Sequence, residues 1–180
     1  GSEMCIRDRQ KDVGMVGAKL YYPDDTIQHA GVVVGLGGVA AHVLCKLPRD
    51  AEGYMGRLRC VQEISAVTAA CMMVKTSVFK AVGGFDEELK VAFNDIDLCM
   101  KVRKYGVKIV FTPYAELYHY ESKSRGMEDT PEKQLRFSRE VNCFRRKWER
   151  ELLKGDPYYN PNLTLNNTDC SLRKQEKNGD

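Results

Sequence analysis

The sequence predicts an α/β domain, a mixed sheet with flanking helices, and three observations carry that prediction. Runs rich in β-branched and aromatic residues recur at 14–34, 65–74 and 107–119 and suit strands. Leu98, Cys99 and Val102 fall at helical spacing after an acidic start. A second helical stripe, Phe137, Val141, Phe144, Trp148 and Leu152, steps by three and four. A chain of 180 residues with 43% hydrophobic content is enough to build one core.

Residues 1–12 (GSEMCIRDRQKD) show no apolar periodicity, and Gly1-Ser2 resembles a cloning scar, so this stretch reads as a leader outside the fold. Two strands follow, VGAKLYY and IQHAGVVV, joined by a turn over Pro23-Asp24-Asp25-Thr26. Gly35, Gly37 and Gly38 read as a flexible loop; without GxGxxG spacing they are no nucleotide fingerprint. Residues 46–57 are loop-like, and Ser65 to Val74 suits one buried strand. Thr76 or Ser77 can cap a short helix that Gly83-Gly84 ends. A helix from Asp95 to Tyr105 stops at Gly106, and strands at Val107–Phe111 and Ala115–His119 are separated by Thr112-Pro113. The last helix begins near Pro131, a favourable first-turn residue. The domain so delimited runs from 13 to 165; the tail from 166 to 180 is polar, and disorder is expected beyond Thr168. No internal repeat is visible.

A net charge of +3 gives little reason to expect a nucleic-acid partner. The apolar run Ile64–Val74 is far short of the roughly 20 residues that span a bilayer, and no basic-then-apolar segment directs export. The seven cysteines are odd in number and never spaced CxxC, which suggests reduced cytosolic thiols serving mostly as small core residues. The many Arg and Lys residues of the last helix could meet an anionic membrane surface. Interspersed Glu132, Glu140, Glu149 and Glu151 favour an ordinary solvated face. Tyr158, Tyr159 and Trp148 could stack on sugar rings, although buried aromatics are the commoner explanation.

Two polar clusters carry candidate chemistry. Asp95 shares a helix face with Leu98, Cys99 and Val102, so it points to the interior or a cleft. There an ionised carboxylate at a helix start can act as a general base. Asp97 lies off that stripe, and Asn94 followed by Asp97 resembles a capping box, a purely structural role. His119 ends a strand, where an imidazole can ligate a divalent cation; Lys123 and Arg125, next along, could hold phosphate oxygens. A partly buried histidine beside an ordinary charged loop is the plainer alternative. His29 and His42 make no HxxxH pattern, which argues against a zinc hydrolase.

The segments GGFDE, NDIDLCMKVRKYG and VFTPYAELYHYESKSRG, with DTIQHAGVVVGLGG upstream and DPYYNPNLT downstream, resemble the C-terminal half of bacterial family 2 glycosyltransferases of the GT-A type. The likeness runs from about Val13 to Thr164. It implies a partial GT-A fold and inverting transfer of a sugar from a nucleotide-sugar donor to a glycan or lipid-linked acceptor. Asp95 would be the catalytic base, with Asn94 standing where that family usually has Glu. His119 would be a ligand or neighbour of a divalent cation, Mn²⁺ or Mg²⁺. Donor or acceptor contacts would come from Gly84, Phe85, Asp86 and Asp97, and from Ser122, Lys123, Ser124 and Arg125. The implied setting is cytoplasmic, at the inner face of the membrane and in peripheral contact with it. The family's upstream DxD motif is missing: Asp24-Asp25 sits in a predicted turn, and Asp95-Ile96-Asp97 is on the helix expected to carry the base. The resemblance therefore implies an acceptor-side fragment, inactive alone. A non-catalytic carbohydrate- or nucleotide-binding module is the alternative.

Overall fold

The computed structural model describes Met4, residues 10–120 and residues 130–174. A five-stranded mixed sheet organises them. Its central strand β1 (Val13–Tyr21) has every residue buried, as expected of a strand covered on both faces. One edge of β1 pairs with two antiparallel strands, β2 (Ile27–His29) near its end and β6 (Met72–Val74) near its start. The other edge pairs in parallel with β7 (Lys108–Tyr118), which in turn meets the short antiparallel β5 (Gln62–Glu63). A separate hairpin joins β3 (Val32–Val34) to β4 (Ala40–His42) across a 3-10 turn at Leu36–Gly38. The helices are α1 (Thr76–Ala81), α2 (Asn94–Lys104), α3 (Pro131–Lys147) and α4 (Glu149–Lys154). Met15, Ile109 and Phe111 of the sheet pack with Leu98, Cys99 and Val102 of α2 and with Phe144 and Trp148 in the main core. Val13, Val16, Ala18, Leu20 and Val110 form a smaller second cluster with Met4.

Several sequence expectations give way to longer-range effects. IQHAGVVV is not one strand: Gly31 takes φ 106°, and β2 and β3 leave for different sheets. The stretch Ser65–Val74 contributes only β6 as strand, because Ala69–Cys71 turns as a 3-10 helix capped by the Thr68 side chain. The two strands expected around Pro113 are one. Pairing jumps from Ala18↔Thr112 to Lys19↔Glu116, so Pro113 lies in a bulge where its missing N–H breaks no ladder. Neither Thr76 nor Ser77 caps α1; Lys75 is its N-cap, without a side-chain bond. The last helix breaks at Trp148 into α3 and α4, and Glu140 is buried rather than solvated, accepting from the N–H groups of Val91 (3.1 Å) and Ala92 (2.9 Å).

The leader is not wholly outside the fold, since Met4 is buried in the second cluster. Nor does the tail come loose at Thr168: its carbonyl accepts from Leu44 N–H, Thr164 N–H donates to Ser171 O, and Cys170 is buried. Of the six described cysteines, only Cys99 and Cys170 are buried; Cys60 is exposed.

Gly17 is required by close approach. A Cβ there would sit 2.2 Å from Val67 Cγ1. Gly17→Ala should therefore cost about 1–3 kcal/mol through overpacking, read as a lower midpoint in thermal or chemical unfolding.

Candidate active site

β1 and β7 run parallel and end side by side at Tyr21 and Tyr118. The carboxyl ends of parallel strands are where α/β sheets characteristically bind ligands. His119 follows β7 directly, and its N–H donates to Tyr21 O at 3.0 Å. Gln28, on neighbouring β2, grips the same residue: its Nε2 donates to His119 O at 3.2 Å and its Oε1 lies 2.8 Å from His119 Nδ1. Tyr21 is itself anchored, its hydroxyl donating to Glu116 Oε1 at 2.6 Å while Arg49 Nη2 reaches Glu116 Oε2 at 2.6 Å. Burial alone would raise the Glu116 carboxyl. The hydrogen bonds from Tyr21 and Arg49, with the Arg49 charge, outweigh it and hold that carboxyl below the usual range.

Asp95 sits in the first turn of α2. That helix starts from Phe93, a bulky residue at φ 63°, whose ring packs between Phe137 (5.8 Å) and Phe144 (5.4 Å). A left-handed conformation is costly for such a residue and persists only where packing imposes it. Asn94 is not the N-cap; its Oδ1 accepts from Asp95 N–H at 2.7 Å. Asp95 is partly exposed, its Oδ1 accepting from Ile96 N–H at 2.9 Å and its Oδ2 from Ala69 N–H at 3.0 Å. A carboxylate offers about four lone-pair sites, so roughly half its capacity remains for a ligand hydroxyl.

A chain of hydrogen bonds links the segments that carry Asp95 and His119. The path runs from Asp95 to Ala69, then from Thr68 N–H to His29 Nε2 (3.5 Å), then along β2 to Gln28 and His119. His29 is fully buried, and burial, with the His42 charge second, pushes its imidazole well below the usual range.

The other predicted site residues divide. Asp97 does not lie off the packed face: it is wholly buried, because α3 and α4 cover the side of α2 that the stripe left open. Its Oδ1 takes the Trp148 indole N–H (2.9 Å) and Lys147 Nζ (2.7 Å), and its Oδ2 pairs with Lys101 at 3.0 Å. Lys147 also binds Asp86, and Lys101 Nζ donates to Gly84 O at 2.5 Å. Gly84, Asp86 and Asp97 thus form one clasp around two lysines, with no atom of Asp97 exposed to a ligand. Phe85 is exposed and stacks edge-on against Phe79. Ser122, Lys123, Ser124 and Arg125 lie outside the described residues. Trp148 and Tyr159 are buried, which leaves neither ring open to a sugar; Tyr158 is half-buried, its hydroxyl donating to Glu63 at 2.5 Å and the Arg103 guanidinium lying 5.4 Å from its ring centroid.

Among the described residues no three His, Cys, Asp or Glu side chains gather as a metal-ligand set. A divalent cation at His119 would draw its other ligands from elsewhere; the described residues do not build such a site. Among them, too, no helix is long and apolar enough to cross a membrane. Sequence reasoning missed Gln28, which carries no motif signal, and Arg49, set in a stretch that reads only as loop.

The chain is 57% identical over 172 residues to an uncharacterized protein, y4gI, of Sinorhizobium fredii, covering 95% of this chain and 19% of that protein. Over 179 residues it is 38% identical to the O-antigen biosynthesis protein RfbC of Myxococcus xanthus, covering 99% of this chain and 14% of the relative. Over 62 residues, 34% of the chain, it is 36% identical to an N-acetylglucosaminyl-diphospho-decaprenol L-rhamnosyltransferase of Mycobacterium tuberculosis, covering 20% of that protein. It spans a fifth or less of each. No family model matches the chain, and no solved structure matches it.

Proposed function

We propose that this chain is the acceptor-side part of a glycosyltransferase of the family 2, GT-A kind, working on cell-surface polysaccharide. The observation that carries the reading is the similarity along nearly the whole chain to a protein named for O-antigen biosynthesis. The shorter match to a rhamnosyltransferase and the place of His119 at the ends of β1 and β7 add to it. The mixed α/β sheet is compatible with part of such a fold.

In this reading Asp95 takes the proton of an acceptor hydroxyl. The hydroxyl oxygen attacks the anomeric carbon of a nucleotide sugar, the bond from that carbon to the diphosphate oxygen breaks, and configuration inverts. Lys123 and Arg125 offset charge on the departing nucleoside diphosphate, with Ser122 and Ser124 beside it. Any Mn²⁺ or Mg²⁺ ion would take His119 as one ligand and the rest from outside the described residues. The acceptor is a glycan or a lipid-linked saccharide, met at the cytoplasmic face of a membrane.

The test uses the parent protein that carries this chain, incubated with radiolabelled nucleotide sugars with and without Mn²⁺. Release of nucleoside diphosphate with transfer, or with slow donor hydrolysis, is expected. Saturable sugar binding without turnover of any donor would instead make this a carbohydrate-binding module.

A further inference from the structure

We infer that Gln28 is a positioning residue that locks His119 in the Nδ1–H tautomer and so presents its bare Nε2 to whatever binds there. The assignment follows from donor and acceptor chemistry alone. The main-chain oxygen of His119 can only accept, so the amide end 3.2 Å from it must be the Nε2 amino group of Gln28. That leaves Gln28 Oε1 facing His119 Nδ1 at 2.8 Å. A carbonyl oxygen also only accepts, so Nδ1 must carry the hydrogen, and in the neutral ring the lone pair then lies on Nε2.

The grip is stiff. Gln28 is buried at 4% exposure. Its main-chain oxygen is held by Cys45 Sγ at 3.1 Å and lies 3.1 Å from His42 Nδ1. His119 is pinned a third time by its N–H on Tyr21 O. A buried amide using both ends on one histidine, from 91 residues away, fixes the ring's position and its tautomer together. Such partners behind a ligating or proton-accepting imidazole typically matter 10–100-fold in affinity or activity. A free histidine side chain prefers the Nε2–H form, so without Gln28 the ring would offer a hydrogen where the site needs a lone pair. The role given to Nε2 rests on the glycosyltransferase reading; the tautomer does not.

Long-range ¹H–¹⁵N correlation spectra of the 180-residue chain decide it at a pH where the imidazoles are neutral. The chain holds three histidines, and the His119 signal is identified by its loss in His119→Phe. The wild type should show His119 as Nδ1–H. Gln28→Met should move it to mainly Nε2–H, and Gln28→Glu, which keeps an acceptor, should restore Nδ1–H. An Nε2–H wild type, or an unchanged tautomer in Gln28→Met, overturns the assignment. If Gln28→Met does not fold, the wild-type and Gln28→Glu spectra still decide. In the parent protein, Gln28→Met should lower transfer roughly 10–100-fold and Gln28→Glu should recover most of it. A tautomer shift with transfer intact would support Gln28's role while removing His119 from the reaction, so the two readings fail separately.

Discussion

Asp97→Ala should destabilise the chain by about 3–5 kcal/mol, the range for removing one partner of a buried ion pair. Asp97 has no exposed side-chain surface and faces two ammonium groups and an indole N–H. Its removal leaves Trp148 Nε1 without its acceptor, Lys147 with only Asp86 and Lys101 with only Gly84 O. Asp97→Asn keeps the shape and an acceptor for Trp148 while losing the charge, so it should cost less than the alanine variant. Chemical denaturation reads both, as a lower midpoint at unchanged slope; an alanine midpoint equal to wild type would show that the clasp contributes nothing.

The same clasp predicts a pH window. Burial works against the Lys147 ammonium, but its bonds to Asp86 and Asp97 outweigh that and raise its pKa. A raised lysine contributes stability that is fully present below its unfolded value, about 10.4, and is lost as pH rises through the folded value. The hydrogen bond from Lys147 lowers the Asp86 carboxyl. That contribution is present above the unfolded value of about 3.9 and is lost as pH falls through the folded one. The clasp's contribution to the denaturation midpoint should therefore hold between about pH 4 and 10 and fall on either side, while buried His29 separately costs stability below about pH 6.5. Asp86→Asn should flatten the acid limb.

Local signals explain which parts of this molecule the sequence discloses. β1, α2 and β7 are legible because β-branched runs and the Leu98–Val102 stripe report local geometry directly. The contacts of Asp95 with Asn94 and Ile96 are local and readable in the same way, whereas its bond to Ala69 N–H, 26 residues away, is not. Asp97 was not legible. Its place in α2 looks outward until α3 and α4 cover it, and the groups that make burial tolerable, Lys147 and Trp148, come some 50 residues later. Gln28 and His119 stand 91 residues apart and meet only because β2 and β7 flank the same strand. Patterns of period two or 3.6 give the faces of elements. Which polar groups meet across those faces depends on pairings that no short window contains.

In the parent protein, Asp95→Asn should lower transfer by roughly 10²–10⁴-fold, the usual worth of a positioned base, with donor affinity nearly unchanged. The argument rests on what the two carboxylate oxygens already do. Each accepts one backbone N–H, from Ile96 and from Ala69. An asparagine keeps one acceptor but turns its amino group toward the other N–H, a donor–donor conflict that itself costs about 1–3 kcal/mol. Unfolding midpoints must therefore accompany the kinetics. If Asp95 is the base, kcat falls far more than folding accounts for while the donor KM stays put, because the lost interaction exists only in the transition state. Asp95→Glu, which keeps the charge but shifts it by one methylene, should retain some activity and separate charge from placement. Full turnover by a folded Asp95→Asn enzyme would reduce Asp95 to what its two hydrogen bonds already show, a fastening between the start of α2 and the 3-10 turn at Ala69.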